Sequence, residues 1–321
     1  ALENMWYRSC TENDIKLLNS LVSNNSIDNP KLHNPIYDNI PIITSKNRYR
    51  DKINYMGALK FAQKTGQQLT NFYSIDTLTE SGVKTIMGIT NKKMLQKNIL
   101  KANDTINPGK QMALWNLNPE NSNNKPGILP LCIGMPVMIK KNIATELCIT
   151  NGVEGNVVGW KSSVLRMNNK DYPILNTLFI ALKDTPFKVQ IPGLPDNVVP
   201  ISRSARPVLC QFPNGQLQRI NRNQVDVILN FAMTDYASQG RTRPINVIDL
   251  TYCRTHFSYY TCFSRSASVK NTVIVGGFNL SIIQGGITGW LRQEFRELEM
   301  MDEITKLREE GVLHHTVRGD R

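Results

Sequence analysis

The stretch TDYASQGRT at 234–242 follows a short apolar run and combines hydroxyls at Thr234, Ser238 and Thr242 with Gln239 and Gly240. A glycine there lets backbone N–H groups approach an anion closely, so the segment reads as a loop that grips phosphates. An ordinary Ser/Gly turn has much the same composition. Some twenty residues on, YYTCFSRSAS sets Arg265 between two serines near the end of a predicted helix. An arginine presented at a domain edge can neutralise charge developing on a transferred phosphoryl group, although a surface arginine that binds nothing would read alike.

The elements that would position these residues must be built from 321 residues, 40% of them hydrophobic, which is enough for about two domains with real cores. The formal charge of +12 asks for a polyanionic partner, nucleic acid or an acidic membrane surface. From residue 291 onward six Lys or Arg face eight Asp or Glu, so this tail carries −2 and the remainder +14. Six scattered cysteines form no C-x-x-C pair, which predicts neither a zinc site nor a disulfide framework and implies a reducing compartment. No apolar run approaches the ~18 residues of a membrane span, and the start lacks the apolar core of a signal peptide and an initiator Met, as a fragment would.

TENDIKLLNSLV predicts a helix capped by Thr11, and IPIITSKNRYRDKINYMGALKFAQKTG predicts a strand, a loop and a basic helix ending near Gly66. Between about 76 and 127 the chain turns rich in Asn and Lys, with NPGKQ and NPENSNNKPG as turn signals within a partial insertion. Short β-rich runs from Leu129 to about Val225 predict a small β-barrel or sandwich, with Asn151-Gly152 as a tight two-residue hairpin. VDVILNFAMT, NVIDLTY and NTVIVGGFN then predict buried strands, so a β module is inserted into an α/β domain. Leu291, Phe295, Leu298, Met301, Ile304 and Leu307 predict a helical apolar stripe packed on the core, or else facing a partner groove.

Four segments together resemble the Helitron-type helicases related to the petite-integration-frequency helicases of superfamily one. TSKNRYRDKIN is similar to motif IV, LPLCIGMPVMIKKNI with TNGVEGNVVGW to the inserted barrel, TDYASQGRT to motif V and YYTCFSRSAS to motif VI. The resemblance implies two RecA-like domains that close around ATP and Mg2+ and move along single-stranded DNA, in an intracellular, nuclear setting. This chain would hold the second, α/β RecA-like domain with its inserted small β-barrel. The implied divisions are 1–39, a remnant or linker from the first domain; 40–128, the first part of the second domain; 129–225, the barrel; 226–290, motifs V and VI; and 291–321, an amphipathic helix and tail.

By matching position Arg265 would be the arginine finger, Gln239 and Gly240 would face the nucleotide, and Tyr260 would support the finger. Thr234, Ser238 and Thr242 would fall near the DNA backbone, and Asn47 and Arg48 at the cleft-facing start of the motif IV helix. Which of these touch DNA and which touch nucleotide stays open at this point. The phosphate-cradling G-x-x-x-x-G-K-[ST] and the acidic strand end that holds magnesium are absent from these residues. KTGQQ at 64–68 has the wrong order, so the missing N-terminal helicase domain would supply both. Motif V commonly has a basic residue where Ala237 stands, and motif VI a smaller or aliphatic pair where Cys262 and Phe263 stand. The alternative of another class is a non-catalytic nucleic-acid-binding module, a relic of a transposon helicase.

Overall fold

Local chemistry sets the ends of the elements in this computed structural model, which describes residues 1–23, 32, 34–79 and 106–317. After a short helix α1 (Leu2–Trp6), Thr11 caps α2 (Glu12–Leu21). Its hydroxyl accepts from the Asp14 N–H at 3.3 Å while the Asp14 carboxylate accepts from the Thr11 N–H at 2.8 Å. Strand β2 (Ile42–Thr44) leads into α3 (Asn47–Thr65), which stops at Gly66, whose φ of +66° turns the chain off the helix. NPGKQ departs from expectation. Asn107 accepts from the Gly109 N–H and Pro108 takes the first helical position, so the segment opens helix α4 (Pro108–Trp115) instead of a turn. Much of the expected Asn- and Lys-rich insertion, residues 80–105, lies outside the described residues.

Five strands make a parallel sheet in the order β1 (Val22–Ser23), β15 (Thr272–Val275), β14 (Asn246–Asp249), β2 and β13 (Ala232–Thr234). Its core joins Ile43, Met233, Ile248 and Ile274 to Leu18 and Leu21 of α2 and to Tyr259 and Cys262 of α6 (His256–Phe263). Residues 1–23 are therefore part of this unit and not a linker: the apolar face of α2 is buried here, and Val22–Ser23 add an edge strand.

All the remaining strands lie in sequence between the sheet neighbours β2 and β13. One antiparallel sheet runs β12 (Val227–Leu229), β6 (Pro136–Ile139), β7 (Glu154–Met167), β8 (Lys170–Leu182) and β9 (Val198–Ser202). A second joins β10 (Ser204–Gln211), β11 (Leu217–Gln224) and β4 (Ile75–Leu78), and a ribbon pairs β3 (Thr70–Tyr73) with β5 (Ile128–Leu131). Pairing among the described residues leaves these sheets open and closes no barrel. The run VDVILNFAMT divides between two sheets, so Val227–Leu229 carries the insert past Val225. Helix α3 holds the two bodies together. Ala58 and Ala62 pack into the insert's core, while the Asn54 side-chain carbonyl accepts from the N–H groups of Phe231 and Ala232, each at 2.8 Å.

Two polar clusters brace the insert. Arg222, wholly buried, makes a two-pronged contact to Asp76 at 2.9 and 2.8 Å and donates to the carbonyls of Lys125 and Leu114. Every charge there is answered, which is the condition for burying a guanidinium. Glu154, at the start of β7, accepts from Arg241 at 2.8 Å, Arg243 at 3.4 Å and Asn230 at 2.8 Å, and Arg241 also donates to the Gly152 carbonyl.

The Asn151-Gly152 turn is not a two-residue hairpin. Only Gly152 has a positive φ (+98°), and the Val153 N–H donates to the Thr150 carbonyl at 3.2 Å, a four-residue turn inside the connection from β6 to β7. The two-residue hairpin is Asn168-Asn169, with φ values of +51° and +57°, because Asn as well as Gly tolerates this region.

Short helices α5 (Asp235–Ser238) and α7 (Leu280–Ile283) complete the sheet unit before α8 (Gly289–Glu309). Core packing was the expected fate of the α8 stripe, yet Phe295 alone of its six residues is buried, and Leu298 is 50% exposed. Residues at a spacing of three turn by about 60° per step on a 3.6-residue helix. From Phe295 to Leu307 the apolar positions thus wind around the helix and share no face. Phe295 itself stacks on Trp6 at 4.9 Å.

Gly152→Val places a β-branched residue at positive φ, against the Arg241 guanidinium, and should cost about 1–2 kcal/mol. A thermal midpoint unchanged from wild type would refute the turn's role. Glu154→Gln leaves Arg241 and Arg243 without their acid and should cost about 1–3 kcal/mol in urea unfolding. Asp171→Asn, which breaks an exposed pair with Arg166, should cost under about 0.5 kcal/mol. Equal losses from the two would contradict the distinction between the clamp and a surface pair.

Candidate functional site

In open parallel sheets ligands bind beyond the carboxyl ends of the strands. Here β2 delivers Ser45, Lys46 and the first residue of α3, Asn47, while its neighbour β13 delivers Thr234. The two arrive in one cavity of 430 Å³, lined also by Ser45, Arg50, Lys140 and Tyr236. The Asn47 side-chain carbonyl accepts from Arg50 at 2.7 Å, and Arg50 is paired with Asp51 at 2.5 Å. Burial pushes the Asp51 carboxyl up, against the pull of Arg50. Thr234 caps α5 by accepting from the Ala237 N–H at 3.3 Å. Arg48 is exposed beside an adjoining cavity of 640 Å³ that Tyr49, Lys52 and Tyr55 also line.

Several residues at this edge were missed in the sequence. Tyr49 stacks on Tyr252 at 3.8 Å, with the Lys46 ammonium 5.6 Å from the Tyr252 ring centre. Their signal is a tyrosine soon after each of two apolar strands, which becomes visible only once β2 and β14 are known to be neighbours. Tyr236, 79% exposed, stands at the cavity rim. Asp235 ties the motif V loop to α6, accepting from the Ser258 hydroxyl at 2.5 Å.

The rest of the loop leaves this edge. Ser238 is fully buried and its hydroxyl donates to the Asp235 carbonyl at 2.6 Å, so it holds the turn and faces no ligand. Gln239 and Gly240 are exposed. Gly240 has φ +75° and open space where a Cβ would stand, so its backbone conformation is what calls for glycine there. Thr242 is exposed in a cavity of 610 Å³ with Asn39, Glu154, Lys183 and Arg243, at the amino ends of β2 and β14.

Arg265 belongs to that second edge, since its carbonyl accepts from the Arg243 N–H at 2.6 Å. Its own side chain donates to the Thr261 carbonyl at 3.1 Å and the Ser264 hydroxyl at 2.8 Å, which engages two of the five guanidinium N–H groups. Tyr260 sits edge-on to Trp6 at 4.7 Å, and Cys262 and Phe263 are buried in the sheet's core beneath it. The structure thus unites Asn47 with Thr234 and carries Thr242 and Arg265 to the opposite end.

All six cysteines are free thiols. Among the described residues no group of three or more His, Cys, Asp or Glu could hold a metal ion, and no helix is long and apolar enough to cross a membrane.

No family model and no curated protein sequence matches the chain. Solved structures do. The Pif1 helicase from Candida albicans superposes with a TM-score of 0.56 at 17% identity, covering 94% of this chain and 57% of that one. Bacteroides Pif1 in complex with ADP-AlF3 and single-stranded DNA gives 0.54 at 16% identity, covering 94% and 53%. Bacteroides Pif1 bound to single-stranded DNA gives 0.53 at 15%, with the same coverage. The chain spans about half the length of the structures it matches, and in fold it corresponds to that part of a Pif1 helicase, in agreement with the resemblance of its motifs.

Proposed function

We propose that the chain is the C-terminal motor half of an ATP-dependent DNA helicase of superfamily one, which works on single-stranded DNA with a first RecA-like domain. The meeting of Asn47 and Thr234, from motifs far apart in sequence, in one basic cavity at the sheet's carboxyl edge carries this reading. The fold supports it, since one similar structure holds ADP-AlF3 and single-stranded DNA. On this reading Asn47, Thr234 and Arg48 face the DNA backbone, and Ser238 shapes the loop from within.

Gln239 and Gly240 face the nucleotide from the loop's exposed turn, and Thr242 goes with them to the second edge. Arg265 is the arginine finger, with three N–H groups still to give, and Tyr260 supports its helix through Trp6. The first domain brings the phosphate cradle and the acid that holds Mg2+. A nuclear setting goes with this activity. The hold of Arg265 on its own helix end favours the second reading, a binding module without catalysis.

Binding of a labelled oligonucleotide should fall with salt on a log–log line of slope about −0.7 per phosphate contacted, with little sequence preference. Absence of binding at low salt would remove the DNA partner. In an enzyme that includes the first domain, Arg265→Ala should cut DNA-stimulated ATP turnover by ~10³-fold or more while nucleotide affinity changes little. Near-normal turnover would favour the binding module.

A further inference from the structure

The cavity at the carboxyl edge has an unbalanced charge. Two cations line it, Arg50 and Lys140, and none of its lining residues is an Asp or Glu. Arg50 is answered by Asp51 outside the lining. Lys140 is not answered. Among the described residues its ammonium makes no ion pair and no side-chain hydrogen bond, although the side chain is half-buried at the end of β6. Burial lowers its pKa, and the two charges that bear on it, Arg50 and Arg241, are both positive and lower it further. A partly desolvated cation facing other cations is costly on its own, and an anion entering the cavity would relieve that cost.

We propose that this cavity takes a backbone phosphate of single-stranded DNA and that Lys140, a residue of the inserted module, is its principal ligand. The inference rests on the reading of the chain as a DNA motor. The volume of 430 Å³ would hold roughly fourteen waters at ~30 Å³ each, room for a phosphodiester and its sugar. Asn47 and Thr234, from the parallel sheet's side of the lining, offer uncharged hydrogen-bonding groups. The ring of Tyr236 at the rim gives a face on which a base can stack, which a free phosphate would not use. A phosphate held this way bridges the insert and the parallel sheet.

Titration of the whole chain with a labelled oligothymidylate at several salt concentrations, with inorganic phosphate as competitor, tests the proposal. Lys140→Met should weaken binding roughly tenfold at low salt and reduce the slope by about 0.7, while Lys140→Arg retains both. Lys141→Met makes the same change of charge on the exposed neighbour that does not line the cavity, and should leave the slope intact. The thermal midpoint of Lys140→Met without DNA should be unchanged or raised, because an unpaired charge is removed. Tyr236→Ala should weaken the oligonucleotide and leave competition by phosphate as it was. If wild type binds DNA and Lys140→Met binds with an unchanged slope, or if Lys141→Met loses as much, the role of Lys140 is refuted and the DNA reading stands. If wild type binds no DNA, both fall.

Discussion

A parallel sheet cannot be closed by hairpins, and that constraint arranges everything else in this chain. Each strand ends at the edge opposite to the one where the next must begin, so every connection has to cross the sheet. Between β13 and β14 the crossing takes only residues 235–245. Thr234 and Thr242, eight positions apart in the stretch TDYASQGRT, are thereby delivered to opposite ends of the domain. One loop then serves two surfaces. On the proposed function the cavity at the carboxyl edge takes a polynucleotide backbone, and the amino edge, which gathers Thr242, Arg243 and Arg265, meets an adenine nucleotide shared with another domain.

The same crossing loop is bound to the insert by charge. Glu154, the first residue of β7, stands between Arg241 and Arg243 and so anchors the end of this loop to the insert. Arg222 and Asp76 are fully matched, and Arg241 and Arg243 share one acid. Lys140 has none. Arg222, Arg241, Arg243 and Arg50 are answered by the chain's own carboxylates, whereas Lys140, on the proposal above, is answered by a phosphate from outside.

Much of the sheet unit was legible because its signals are local. Thr11 with Asp14, the β2 run followed by a basic helix, and Gly66 each name an element end through the chemistry of two or three residues. The misreadings share a cause, which is that partners distant in sequence decided them. VDVILNFAMT is uniformly apolar, and only the pairing of Val227–Leu229 with β6 and of Ala232–Thr234 with β2 divides it. Asn151-Gly152 carries the strongest hairpin signal, yet the register of β7 on β8 puts the hairpin at Asn168-Asn169. Ser238 has the right type for a phosphate contact but turns inward. Lys140 looked like one of two adjacent lysines, and nothing local shows that it alone lines a cavity without acids.

On the proposed function the two edges answer to different polyanions. Asn47→Asp puts a negative charge into the carboxyl-edge cavity, and Gly240→Val forces a β-branched residue to adopt positive φ near the other edge. Paired titrations with single-stranded DNA and with a non-hydrolysable nucleotide, on an enzyme holding both RecA-like domains, measure the separation directly. Asn47→Asp should lose DNA affinity and keep nucleotide affinity, and Gly240→Val should do the reverse. If both variants weaken the same ligand, the two edges form one site and their separation is refuted.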